Sequence, residues 1–189
     1  MSIAFHIIIV VVILLLSLWY IKRSTTPDAT ALPTISSSQW RYFGSYDYER
    51  EHPGMGTNHL YRKDDIWADL YVYDLKKNDW KEGIVDPEFF THFMSTIDEI
   101  KMHEASGRYK NVRFCEIGQV VIGGSIFLMV ILNFTIDGKP LDSVIALTAH
   151  SGSLLKYRLS APQPQADSIQ TISIEFIEQN LKDFDVRAF

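Results

Sequence analysis

Between Asn111 and Ser160 the chain holds four strand-length apolar segments separated by turn residues. NVRFCEIGQVVI runs to Gly123-Gly124 and SIFLMVILNFTI to Asp137-Gly138. LDSVIALTAH ends at Ser151-Gly152-Ser153, and LLKYRLS follows. Gly-Gly and Asp-Gly adopt the positive φ angles of tight hairpins, so this spacing predicts a four-strand antiparallel meander. Ile126 to Leu132 is apolar at every position, the pattern of a strand buried on both faces.

The preceding segments extend the pattern. Trp40, Tyr42 and, beyond Gly44, Tyr46 and Tyr48 alternate with other residues over Trp40 to Glu49, which predicts a half-buried strand. His52 to Gly56 (HPGMG) reads as a turn, and NHLYRK as a short strand ending at Asp64-Asp65. In Ile66 to Leu75, Trp67, Asp69, Tyr71 and Tyr73 share one face, and Ala68, Leu70 and Val72 the other.

Asp86-Pro87 has the residue types of a helix N-cap and first turn. Phe89, Phe93, Ile97 and Ile100 follow at helical spacing, joined by Phe90 and Met94, and Gly107 marks the stop. A last helix, capped by Asp167 or Ser168, places Ile169, Ile172, Phe176, Ile177 and Leu181 on its core face. Strands and helices are grouped rather than alternating. The expected fold is α+β: an antiparallel sheet of about six to seven strands with two helices packed on it.

Ahead of this domain, Ile3 to Tyr20 is apolar or aromatic except at His6 and Ser17. Eighteen helical residues span roughly 27 Å, close to the hydrocarbon thickness of a bilayer. The run lacks a cationic leader and is long for a signal-peptide core, so residues 1–23 are expected to be a retained membrane anchor, with contact through residues 3–20. Residues 24–39 are a Ser/Thr/Pro linker, and 40–189 form one domain. Lys22 and Arg23 follow the apolar run and by the positive-inside rule place the domain in the cytoplasm.

The motifs Y-D-Y-E (Tyr46 to Glu49), H-P-G-x-G (His52 to Gly56), A-D-L-Y-V-Y-D (Ala68 to Asp74) and the closing L-L-K-Y-R (Leu154 to Arg158) resemble an uncharacterised family of bacterial membrane-anchored or exported proteins. The order of elements resembles PsbP-like domains. The resemblance implies an extracytoplasmic domain of the bacterial envelope, opposite to the implication of Lys22 and Arg23. It implies no reaction.

The formal charge of −5 leaves no excess of cations for phosphate backbones, which argues against nucleic acid as a partner. The single cysteine, Cys115, excludes an internal disulfide and reads as a buried or half-buried structural residue. No nucleophile elbow, zincin helix, Walker loop or C-x-x-C is present; no catalytic residue and no cofactor is implied. His52, His59 and Asp65 are weak metal candidates, and exposed loop histidines are the plainer reading. His150 and Ser151 are adjacent on a strand, so they point to opposite faces and do not pair. Asn133-Phe134-Thr135 is a glycosylation sequon placed inside an apolar strand, and is discounted.

Trp67, Tyr71, Tyr73 and Trp80 are the candidate ligand or partner surface, weighed against a role in the core. The expected function is a membrane-anchored, non-enzymatic binding or accessory domain with a possible protein partner. The alternatives are an accessory subunit of a membrane complex and an enzyme of unrecognised type.

Overall fold

The computed structural model describes residues 40–163 and 168–185. The expected anchor, linker and Asp167 cap lie outside them. Among the described residues no helix is long and apolar enough to cross a membrane.

Seven strands form one antiparallel sheet: β1 (Arg41–Asp47), β2 (Thr57–Lys63), β3 (Ile66–Tyr73), β4 (Lys110–Ile122), β5 (Ser125–Ile136), β6 (Lys139–His150) and β7 (Ser153–Pro162). Their order is β1-β2-β3-β7-β6-β5-β4. Two meanders therefore join where β3 pairs with β7. Helix α1 (Phe89–Ala105) connects central β3 to the far edge at β4, and α2 (Ile169–Asp185) follows β7.

The two helices lie on opposite faces. Phe89, Phe93, Ile97 and Ile100 of α1 pack with Leu128, Val130 and Leu132 of β5, and with Ile145 and Leu147 of β6. Phe176 and Ile177 of α2 pack with Phe127 and Met129 of β5, Val144 and Ala146 of β6, and Leu155, Tyr157 and Leu159 of β7. The unbroken apolar run of β5 is thus explained: its even-numbered side chains meet α1 and its odd-numbered ones meet α2. Phe176 is fully buried, with ring centroids of Trp40, Tyr61 and Tyr157 at 4.6, 5.2 and 6.2 Å.

The helix ends follow from local chemistry. Ser168 Oγ accepts the Thr171 backbone N–H at 3.2 Å, the bond of an N-cap to its third helical residue. Gly107, with φ +76°, ends α1 in a Schellman motif: its N–H bonds Glu104 O, and the Arg108 N–H bonds His103 O. The start of α1 differs from expectation. The regular helix begins at Phe89, after a turn in which the Asp86 carboxylate accepts the Glu88 N–H at 3.0 Å. Asp86 also takes the Lys77 ammonium at 2.8 Å, an ion pair that ties the β3–α1 loop to the helix entry.

Strand β1 differs as well. The β1–β2 register shifts between Tyr42 and Gly44. Before this bulge Tyr42 opposes Tyr61, on the α2 face; after it Tyr46 opposes Asn58, on the α1 face. The even-numbered aromatics of β1 are divided between faces, because one extra residue reverses the alternation. Cys115 is exposed rather than buried, since β4 is an edge strand; its Sγ lies 2.8 Å from Asn133 Oδ1.

Candidate functional site

On strands β2, β3 and β7 the register sets three rows of side chains across the α1 face. Arg62 pairs with Trp67, and Trp67 with Ser160. Two residues along, Leu60 pairs with Asp69, and Asp69 with Arg158. Two further, Asn58 pairs with Tyr71, and Tyr71 with Lys156. Alternation along each strand aims all of these to one side. On this face Trp67, Asp69, Tyr71, Lys156 and Arg158 are half-buried, and Arg62 is exposed.

Three cations on this face are held by aromatic rings. The Arg62 guanidinium sits 5.7 Å from the Trp67 ring centroid. Lys156 Nζ lies 4.8 Å from the Tyr71 ring and 5.7 Å from Tyr73. Arg158 lies 5.7 Å from the Tyr109 ring and 5.8 Å from Phe134, and donates to the Tyr109 hydroxyl at 3.0 Å. The ion pairs of the described residues use Lys77, Lys101, His150 and Lys182, not these three. Ring faces orient a cation without neutralising it, so this patch keeps its positive charge.

Asp69 is the carboxylate among them. Burial pushes its carboxyl above the usual aspartate value, against the pull of Arg158, Arg62, Lys156 and an Asn58 side-chain hydrogen bond. Burial lowers Arg62, and Asp69 opposes that shift. Burial also works against the Arg158 charge, but Tyr109, Tyr71 and Asp69 hold it above the ordinary arginine value. Burial raises Tyr71 well above a free phenol, with Asp69 adding to the shift. Asn58 Oδ1 is buried with no hydrogen-bond partner among the described residues.

The sequence candidates separate here. Trp67 and Tyr71 are half-buried on this face. Tyr73, on the same face of β3, is buried: its hydroxyl meets His92 Nε2 at 2.7 Å. Burial and Lys156 hold His92 down at about 3, while burial raises Tyr73 well above a free phenol. The phenol is therefore the donor, and Nε2 of the neutral imidazole accepts. Trp80 is also buried, donating from Nε1 to Asp74 O at 2.7 Å, with Lys77 over its ring at 4.5 Å. Trp80 packs the β3–α1 loop onto the core rather than offering a surface.

His52, His59 and Asp65 do not converge. His52 lies in the β1–β2 turn, His59 on β2 opposite Leu70, and Asp65 in the β2–β3 turn. His59 lies four residues, roughly 13 Å, from the end of β2 at Lys63, and Asp65 lies in the turn beyond it. Among the described residues no group of three or more His, Cys, Asp or Glu is placed to hold a metal ion. His150 lies 3.3 Å from Glu82, whose other oxygen takes the Ser151 N–H. Asn133 donates its amide to Asp142.

Sequence reasoning missed Arg62, Lys156 and Arg158. The signal was present: in LLKYRLS, Lys156 and Arg158 interrupt an apolar strand at alternate positions, which places both on one face. The strand that would lie beside them was not readable.

No protein-family model matches the chain. No curated protein matches it. Among solved structures it is similar to the solution structure of cyanobacterial PsbP (CyanoP) from Synechocystis sp. PCC 6803, with a TM-score of 0.44 and 11% identity over 76% of this chain and 92% of that one. It is also similar to the crystal structure of PA94, a protein of unknown function from Pseudomonas aeruginosa, with a TM-score of 0.31 and 11% identity over 84% of this chain and 90% of that one.

Proposed function

We propose that this chain is a non-enzymatic binding domain, carried at a membrane by residues 3–20, that receives a small ligand on the α1 face of β2, β3 and β7. The observation that carries the reading is the pairing of two half-buried aromatic rings, Trp67 and Tyr71, with polar and charged side chains around them. Rings that are neither buried nor fully exposed, beside directional polar groups, are the usual makings of a ligand site. The Tyr73–His92 pair is enclosed, and among the described residues the half-buried part of the face holds no nucleophile hydrogen-bonded to a base, so the chemistry it supports is recognition.

The test uses the full chain in phosphatidylcholine nanodiscs with 5-fluorotryptophan, its 19F resonances assigned by Trp→Phe substitution. Inorganic phosphate, citrate, spermidine and glucose are titrated to on the order of 10 mM, a range that reaches weak specific sites. The reading expects the Trp67 resonance to move with at least one compound while buried Trp80 stays. Stationary Trp67 throughout, or equal movement of both, overturns it. The membrane part has its own test: in a Cys115→Ser background, Ser37→Cys is labelled with an impermeant thiol reagent in intact cells. Labelling places the domain outside and labelling only after lysis places it inside. A protein that fractionates free of membranes removes the anchor from the reading.

A further inference from the structure

Resting on the reading of this face as a ligand site, we propose that the ligand is an oxyanion, a phosphate or a carboxylate, seated between Arg62, Lys156 and Arg158. In a chain of net charge −5, three cations flank β3 on one face of the sheet, all within electrostatic reach of Asp69. Each is held over a ring, and among the described residues none closes an ion pair with a carboxylate. Orientation without neutralisation leaves donors for a ligand: Lys156 presents an ammonium, Arg62 a planar fork matched to phosphate and carboxylate oxygens, and Arg158 the guanidinium N–H groups it does not give to the Tyr109 hydroxyl. The half-buried setting weakens solvent screening, so an incoming negative charge is attracted more strongly than at an open surface.

Asp69 makes the proposal directional. It stands opposite Arg158, with Arg62 and Lys156 also within its electrostatic reach. An anion bound to those cations meets a like charge at Asp69, while Glu99 of α1 bears on Tyr71 from the helix side. Removing the Asp69 charge therefore tightens anion binding, and removing a cation weakens it. A general loss of structure would move both variants the same way.

Isothermal titration of the full chain in phosphatidylcholine nanodiscs with inorganic phosphate, and separately with citrate, tests this. Lys156→Met keeps the aliphatic stem against Tyr71 and is expected to lower affinity roughly tenfold or more, as is Arg62→Gln. Asp69→Asn is expected to raise it. Wild-type affinity should fall with added salt. Nanodiscs containing phosphatidic acid separate the sources: weaker uptake of soluble phosphate there than in phosphatidylcholine assigns the site to a lipid headgroup, and unchanged uptake assigns it to a soluble anion. Equal affinity in wild type and Lys156→Met, or weaker binding in Asp69→Asn, overturns the proposal. If Trp67 responds to spermidine or glucose and to neither anion, the binding face stands and the anion assignment falls.

Discussion

His92 is a half-buried base held neutral, and this makes stability depend on pH in a predictable direction. In the folded chain burial and Lys156 bring its value from 6.5 to about 3. Above the unfolded value both states carry a neutral imidazole and nothing is lost. As pH falls below about 6.5 the unfolded chain takes up a proton that the folded chain refuses, so stability declines through the window from 6.5 down to about 3. At pH 5, about 1.5 units into that window, the deficit is about 2 kcal/mol for one suppressed proton. His103, brought to about 4 by burial, Arg108 and Arg158, also lies below pH 5 in the folded chain and adds a deficit of the same sign. The discriminating variant is His92→Gln, which leaves an acceptor for Tyr73 and does not titrate. At pH 8 it should be less stable than wild type by about 1 kcal/mol, for an imperfect replacement of a buried hydrogen bond. At pH 5 that gap should close or reverse, because the wild type alone pays the His92 proton. Guanidinium unfolding of both proteins at the two pH values measures it. An equal gap at pH 8 and pH 5 refutes the reasoning.

Two further perturbations probe the frame that holds the site. Gly56 in the β1–β2 turn has φ +56°, and a Cβ there would lie 1.9 Å from Val72 O and 2.8 Å from Tyr73 Cα. Gly56→Ala should destabilise by about 3 kcal/mol or more, whereas Gly107→Ala, with open space around it, should lose only about 1 kcal/mol to its left-handed φ. Thermal melts of the pair check this, and equal losses would contradict it. Phe176→Ala removes a ring enclosed by Trp40, Tyr61 and Tyr157 and should cost about 3–5 kcal/mol, against less than about 0.5 kcal/mol for exposed Phe90→Ala. Denaturant midpoints of the two variants measure the contrast.

What was legible follows the range of each signal. The Gly-Gly, Asp-Gly and Ser-Gly punctuation, the alternation of β3 and the 3/4 spacing of Phe89, Phe93, Ile97 and Ile100 are contacts of a few residues, and a linear pattern records them. The division of β1 was not legible, because a bulge at Phe43 reverses the alternation only through the pairing with β2. Tyr73 and Trp80 look like Trp67 and Tyr71 in the sequence. What buries them is the β3–α1 loop folding back, where Trp80 bridges to Gly152, and the first turn of α1, from which His92 reaches Tyr73. Cys115 gives no sign that its strand lies at the edge.

The candidate site illustrates the same division. Sequence alone determined that Lys156 and Arg158 share a face of one strand, and that Trp67, Asp69 and Tyr71 share a face of another, because side-chain alternation is a property of any extended backbone. Only the tertiary structure decided that these two strands are neighbours. The β3–β7 ladder joins segments more than eighty residues apart in the chain, and no local preference encodes that choice. It is made by the burial of two cores on opposite faces of one sheet, which closes only when the first meander docks on the last strand of the second.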